Sequence, residues 1–366
     1  MELPKAFTDR MKEQLGAAYT DFLAEYKKER VCGLRYNPLK IEKEQLLQAL
    51  CKDLGTLEEV PWAEEGYYYP ANAHPGKLPL HEAGAYYIQE PSAMIAAAML
   101  QPQPGEKILD LCAAPGGKST QIAGRLQGRG LLVSNEIIQQ RARTLSRNIE
   151  RMGIRNAVVL NETPQRLAER FPLFFDRVIV DAPCSGEGMF RKDIEARGEW
   201  SMEQIAVCAA RQRDILSHAA AMLKPGGTLV YSTCTFAPQE NEQNAEWLVK
   251  EYPQFTLEAS EQLLPHEKRG EGHYAARFLK EKADQAAYCD QAASIKKRSA
   301  GKKKLIPGME AFQMFLQEYL SDRMQRYILD GIQEGRLTVF GECLYLLPSG
   351  IMSLDGLKTE RAGLEL

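Results

Sequence analysis

Between residues 107 and 232, short apolar runs alternate with amphipathic stretches of helix length, and this alternation leaves few architectures open. Ile108-Leu-Asp-Leu111, Leu131-Leu-Val-Ser134, residues 157–160, residues 177–180 and Thr228-Leu-Val-Tyr-Ser232 read as strands. Helices are predicted over residues 117–126, 137–152 and 201–223. The second carries Ile138, Ala142, Leu145 and Ile149 on one face; the third carries Ile205, Ala209, Gln212, Leu216 and Ala219 near one stripe. Strands alternating with helices of this length predict a mostly parallel sheet covered on both faces. Ligands of such a sheet sit beyond the carboxyl ends of its strands, so functional residues are sought there.

The flanks read differently. Phe7, Met11, Leu15, Tyr19, Leu23 and Tyr26 recur at spacings of three and four, which predicts an amphipathic helix or helix pair over residues 1–30. Ile41, Leu46, Leu47 and Leu50 resume the pattern up to Gly55, and residues 60–79, rich in Pro, Gly and Tyr, read as irregular. Pro91 suits a helix start. Residues 296–304 form a basic run that reads as a solvated linker, residues 309–320 as a helix and residues 337–347 as a hairpin. The expected division is an N-terminal module over 1–80, a central domain over 81–283, a basic linker over 284–306 and a short or truncated C-terminal module over 307–366.

Composition excludes several classes. No apolar run approaches the ~20 residues that span a membrane, and Met1-Glu-Leu-Pro-Lys5 lacks a signal peptide's apolar region. Eight cysteines with no CxxC pair argue against a zinc ribbon or a disulfide framework, so a cytoplasmic protein without a metal is expected. The net charge of −3 means that any nucleic acid must meet local basic patches.

Three strand ends carry the chemistry. Residues 177–180 end in Asp181-Ala-Pro-Cys-Ser-Gly186, which presents a carboxylate and a thiol. Tyr231-Ser-Thr-Cys-Thr-Phe236 presents a second thiol in the same way. With no further His or Cys at chelating spacing, nucleophile chemistry is a better reading than a metal site. At the first strand, Asp110-Leu-Cys-Ala-Ala-Pro-Gly-Gly-Lys118 turns through small residues into a helix. Gly117-Lys-Ser119 matches the end of a P-loop, but Cys112 stands where that loop needs its first glycine and Pro115 removes an amide. A nucleoside without a polyphosphate is the alternative ligand. Glu136, after the second strand, is placed to take ribose hydroxyls, and it could equally cap the following helix. Glu162, after the third strand, is placed to reach an adenine amine.

Asp110-Leu-Cys-Ala-Ala-Pro-Gly-Gly-Lys118, Asp181-Ala-Pro-Cys-Ser-Gly186 and Ser232-Thr-Cys234 together resemble the signature motifs of the RNA cytosine-C5 methyltransferases of the NOL/NOP/SUN family. Gly186-Glu-Gly-Met-Phe-Arg-Lys-Asp193 and Gly272-His-Tyr-Ala-Ala-Arg277 are most similar to the bacterial RsmF-like type, which acts on 16S rRNA. The likeness extends to Arg35-Tyr-Asn-Pro-Leu-Lys40 and Tyr87-Ile-Gln-Glu-Pro-Ser92.

This resemblance implies a Rossmann-like class I S-adenosylmethionine-dependent methyltransferase sheet, with a small N-terminal α+β RNA-binding module and a partial C-terminal one. It implies that Cys234 attacks cytosine C6, that Cys184 assists elimination, that Asp181 holds the base edge and that Lys118 orients Asp181. S-adenosyl-L-methionine would lie against Cys112, Ala113, Ala114, Pro115, Gly116, Gly117, Lys118, Glu136, Arg141, Glu162 and Asp181. Tyr87, Phe190 and Tyr274 are candidates to stack on bases, with core packing the default for each. Arg191, Lys192 and residues 296–304 are candidate phosphate contacts. The partner would be 16S rRNA or the small ribosomal subunit. The alternatives are a tRNA cytosine-C5 methyltransferase, a P-loop-like nucleotide-binding protein and an inactive RNA-binding assembly factor.

Overall fold

The computed structural model describes residues 3–282 and 309–366. The basic run at 296–304 and its linker lie outside the described residues. The chain opens with α1 (Lys5–Leu15) and α2 (Tyr19–Glu25), then β1 (Cys32–Tyr36), α3 (Lys43–Leu54), β2 (Glu58–Val60), β3 (Ala63–Tyr69), α4 (Pro79–Glu82) and β4 (Tyr86–Ile88). The four strands form an antiparallel sheet in the order β2-β3-β1-β4. The stretch read as irregular thus contains a strand. Its Tyr67, Tyr68 and Tyr69 suit a pleated surface, but they pair with residues 32–34, far upstream, where a local reading cannot see them.

The helix pair does not pack on that sheet. Phe7, Met11 and Phe22 bury themselves against Phe190, Trp200, Ile205 and Phe236, around the loop that follows Cys184. Beneath them Glu187 is fully buried and accepts from Arg10 Nη2 at 2.6 Å, Trp200 Nε1 at 2.9 Å and the Phe236 amide at 2.9 Å. Glu187→Ala would strand three donors, one of them the Arg10 cation. The expected loss is about 3 kcal/mol, read as a lower urea midpoint at unchanged m-value.

The central domain runs through α5 (Ile95–Leu100), β5 (Lys107–Asp110), α6 (Gly117–Leu126), β6 (Leu131–Asn135), α7 (Gln139–Arg151), β7 (Ala157–Leu160) and α8 (Pro164–Arg170). It continues through β8 (Phe175–Asp181), α9 (Glu195–Glu199), α10 (Met202–Met222), β9 (Leu223–Thr233), α11 (Glu242–Glu251), β10 (Phe255–Leu263) and β11 (His273–Lys280). Local signals set the helix starts: Ser201 Oγ accepts from the Gln204 amide at 3.2 Å, and Thr163 caps α8 with Pro164 in its first turn. The five strands β5 to β9 are parallel. They lie in the order β9-β8-β5-β6-β7, so the connections leaving β5 and β8 diverge and open a crevice at their carboxyl ends.

Successive strand residues feed opposite cores. Leu109, Val133, Val158 and Val178 join one, while Ile108, Leu132, Val159 and Ile179 join the other. Burial on both faces is why these strands are apolar throughout and lack polar alternation. All five stripe residues named for α10 are buried. Ile138 departs from its predicted face because α7 begins at Gln139, two residues later than predicted; it and Ile137 are more than half exposed.

At the other end, α12 (Met309–Tyr319) and α13 (Asp322–Gln333) precede β12 (Leu337–Phe340), β13 (Cys343–Leu346), β14 (Thr359–Arg361) and β15 (Leu364–Glu365). β12, β13 and β15 form a small sheet, the first two as the predicted hairpin. β14 instead pairs antiparallel with β7 and becomes the eighth strand of the main sheet. No helix among the described residues is long and apolar enough to cross a membrane.

Candidate functional site

The crevice is walled by the turns after β5, β6, β8 and β9. Gly116 makes the first turn possible: its φ of 113° lies in the left-handed region, where side chains other than hydrogen are strained. It sets the start of α6 beneath a cis Ala114–Pro115 peptide. Arg35 reaches into this turn from the N-terminal sheet. Its guanidinium is buried, donates to Gly117 O at 2.6 Å and Thr120 Oγ1 at 2.8 Å, and also binds Gln89 Oε1. Local patterning did not mark Arg35 as a site residue, although its motif was singled out.

Lys118, at the second position of α6, is 7% exposed, and its Nζ lies 2.6 Å from Asp181 Oδ2. Ser232 Oγ donates to Asp181 Oδ1 at 2.8 Å, as expected of residues in register on β8 and β9. Burial alone would raise the Asp181 carboxyl. Lys118 and His273 outweigh it and hold the group well below the usual carboxylate range. His273, on β11, was missed as a site residue, because only the return of an antiparallel strand beside β9 brings it here.

Cys184 Sγ and Cys234 Sγ are 3.3 Å apart. Their contact and burial push the Cys184 thiol well up, so it holds its proton at rest. The loop between Pro183 and Ser185 is pinned from below by the buried Glu240, which accepts from the Ser185 amide at 3.0 Å and from Gln212 Nε2 at 2.7 Å.

On the other side of the crevice, Glu136 is 3% exposed. One oxygen accepts from the Ile138 amide at 2.9 Å and the other lies 3.2 Å from Arg141 Nη1. Arg141 also donates to Ala114 O at 3.0 Å, tying the turn after β5 to the end of β6. Glu162 lies farther off, with Oε1 accepting from the Lys358 amide at 2.7 Å and ion-paired with Arg166.

The charge balance of the crevice decides what it can hold. Asp110 is fully buried, takes Ser119 Oγ on Oδ2 at 2.7 Å, and has no hydrogen-bond partner for Oδ1 among the described residues. Burial, with Asp181 and Glu136 nearby, raises its carboxyl to about 7. Burial and the same three carboxylates push the Cys112 thiol up. A polyphosphate would be repelled here, and Lys118 and Ser119, the residues a P-loop would turn to it, are taken by Asp181 and Asp110. A cationic ligand would be favoured. Because Asp110 is raised from 3.8 to about 7, the folded state binds a proton that the unfolded state lacks between these values. Stability should therefore fall as pH rises from about 4 to about 7, and Asp110→Asn should flatten that slope by on the order of 1–3 kcal/mol in urea titrations.

Some candidates lie elsewhere. Phe190 and Tyr274 are core residues, and Tyr87 is 7% exposed with Arg35 and Arg151 over its ring. The Arg191 side chain is 5% exposed, with Nε 3.2 Å from Glu271 Oε2 and Nη2 donating to Glu29 O at 2.7 Å, so it is not presented to phosphate. Lys192 is exposed.

Comparisons with known proteins identify the family. Residues 97–289, which hold all three motifs, match the family described as 16S rRNA methyltransferase RsmB/F. Residues 3–91 match the N-terminal domain of 16S rRNA methyltransferase RsmF. Ribosomal RNA small subunit methyltransferase F of Pectobacterium atrosepticum is 40% identical over 261 residues, 69% of this chain and 54% of that protein. Its namesake from Vibrio vulnificus is 41% identical over 250 residues, 66% of this chain and 52% of that protein. The chain thus spans about half the length of the curated relatives it matches. A methyltransferase homolog protein from Pyrococcus horikoshii superposes with a TM-score of 0.68 at 28% identity, covering 76% of this chain and 95% of that one. NSun6 from Pyrococcus horikoshii, solved with SFG, shares the fold at a TM-score of 0.69 and 21% identity, covering 76% and 99%. With the family model covering more than half of the chain and relatives of about 40% identity over two thirds of it, the chain belongs to the RsmB/F family of 16S rRNA methyltransferases.

Proposed function

We propose that this protein methylates carbon 5 of a cytosine in 16S rRNA with S-adenosyl-L-methionine. The observation that carries the reading is the pair of thiols 3.3 Å apart beside the Asp181–Lys118 ion pair. Cytosine C5 is a weak nucleophile, and a thiolate added at C6 makes it enamine-like, so two accessible steps replace one difficult step.

The residues of the crevice fit the cofactor. S-adenosylmethionine supplies an electrophilic methyl on a cationic sulfur. The partnerless Asp110 oxygen and the surrounding carboxylates suit a cation, and Glu136 suits a ribose, with the exposed Ile137 and Ile138 offering an apolar surface beside it. The turn over residues 112–118 and Arg141 would complete the site. Glu162 is a weaker contact, since Lys358 and Arg166 occupy one of its oxygens.

Cys234 loses its thiol proton to solvent and, as the thiolate, forms the Sγ–C6 bond, while the C5–C6 π electrons shift toward C5 and N3. The ionised Asp181 holds the base edge by accepting from its exocyclic amine, and the Lys118 ammonium steadies the negative charge that develops at N3. Once C5 is methylated, its proton must leave before the Sγ–C6 bond can break. Cys184, which first gives up its own thiol proton to solvent, takes the C5 proton directly or through a water, the electrons return to the ring, and Cys234 departs as a thiolate. The target base has to leave its stack, which costs a few kcal/mol. Residues 1–80 and 307–366 are the RNA-binding modules in this reading, residues 81–283 are catalytic, and the protein works in the cytoplasm.

The test is incubation of the purified protein with S-adenosylmethionine and, separately, 16S rRNA, small subunits and tRNA, followed by site-resolved mapping of 5-methylcytosine. Labelling of rRNA or small subunits supports the reading. Labelling of tRNA alone, or of none, rejects it.

A further inference from the structure

We infer that His273 is a positioning residue of this site, donating its Nε2 hydrogen to Asp181 Oδ1 and so orienting the carboxylate from the side opposite Lys118. The kinetic consequence rests on the methyl-transfer reading; the contact itself does not. His273 is the first residue of β11 and is 3% exposed. Its Nε2 lies 3.6 Å from Asp181 Oδ1 and has no hydrogen-bond partner among the described residues. A buried ring nitrogen without a partner is costly, and Asp181 is the acceptor beside it. Hydrogen bonds of this kind are often long in a free enzyme and tighten when substrate fills the site.

The backbone holds the ring in place. Gly272 has a φ of 114°, and a Cβ there would run into the Phe236 ring, so the turn into β11 needs glycine. The Gly272 amide donates to Ser92 Oγ at 3.2 Å, and His273 O accepts from Gln262 Nε2 at 3.3 Å. The charged groups facing the imidazole are Lys118 from α6, Asp181 from β8 and Glu90 from the segment before α5. Burial and Lys118 push the imidazole below its usual range, against the pull of Asp181 and Glu90. His273 is therefore neutral near pH 7, and a neutral donor orients Oδ1 without withdrawing the negative charge that the base edge needs. Protonation at lower pH would set a second cation beside Lys118 and draw that charge away.

His273→Gln keeps a neutral N–H donor at similar reach and cannot ionise, whereas His273→Leu removes the donor. In single-turnover methylation, His273→Leu is expected to slow the reaction at least about tenfold while changing KM for RNA by less than about twofold. His273→Gln should retain most of the rate near pH 8 and lose less of it than the wild type as pH falls toward 5.5. The melting temperature of both variants is recorded alongside. If Leu and Gln slow the reaction equally, or if neither does, the inference is overturned. An NMR titration of the His273 ring protons decides the contact without catalysis. Asp181→Asn should lower the His273 pKa, since it removes the carboxylate that pulls it up, and an unmoved pKa overturns the inference. If the wild type methylates no RNA, the methyl-transfer reading fails and the titration still judges the contact.

Discussion

Cys234→Ala is expected to abolish methyl transfer together with any covalent link to RNA, whereas Cys184→Ala is expected to leave the protein trapped on its substrate. The two thiols are 3.3 Å apart, so a probe of proximity would not distinguish them; only their places in the reaction do. Without Cys234 no Sγ–C6 bond forms, C5 stays aromatic, and the rate should drop by about four orders of magnitude or more. Without Cys184 the bond still forms and C5 is still methylated, but the C5 proton has no base to take it. A denaturant-resistant protein–RNA band should then accumulate with Cys184→Ala and be absent with the double variant. A band from Cys234→Ala, or normal product release by Cys184→Ala, would reverse the assignment.

Lys118→Met should be nearly as damaging, for an electrostatic reason. Burial alone would raise the Asp181 carboxyl, and Lys118 Nζ at 2.6 Å is the largest influence holding it down. Removing that cation leaves a desolvated carboxylate with two weaker donors, Ser232 and His273. The expected loss in kcat is about 10²–10³-fold, with a change in pH dependence whose sign is fixed. In the wild type Asp181 stays ionised throughout the neutral range. In Lys118→Met its pKa rises, so activity should be lost as pH falls through that raised value and be partly regained in alkaline buffer. A loss that is equal at every pH would mean that Lys118 acts by some route other than Asp181.

Several parts of this protein were legible in the order of its residues because they depend on nearest neighbours. The strands after Lys107 are contiguous apolar runs, their ends are marked by Asp110, Glu136, Asp181 and Cys234, and α8 and α10 start at their own caps. The parallel sheet then follows from connection rules, and it gathers these ends without further instruction. The P-loop reading fell on local grounds as well, at Cys112 and Pro115.

Other features depend on where distant segments return, and no periodicity encodes that. Tyr67 to Tyr69 became a strand because residues 32–34 pair with them. By sequence Phe190 is a stacking candidate with core packing as its default, and Arg191 a candidate phosphate contact; α1 and α2 fold over that loop and bury Phe190 among aromatic rings, while Glu271 and Glu29 engage Arg191. Glu162 reads as placed to reach an adenine amine, but the segment around Lys358 crosses it and adds β14 to the sheet.

The division follows from physics. By itself the sequence determined the sheet, its strand-end carboxylates and its two thiols, because backbone propensity and short-range turn chemistry act within a few residues. Only the tertiary structure decided how those groups are tuned: one Asp110 oxygen left without a partner among the described residues, Asp181 braced by Lys118 and His273, and Arg35 inserted beneath the turn after β5. Desolvation and Coulomb interactions depend on distance and burial through space, and only the folded chain sets those.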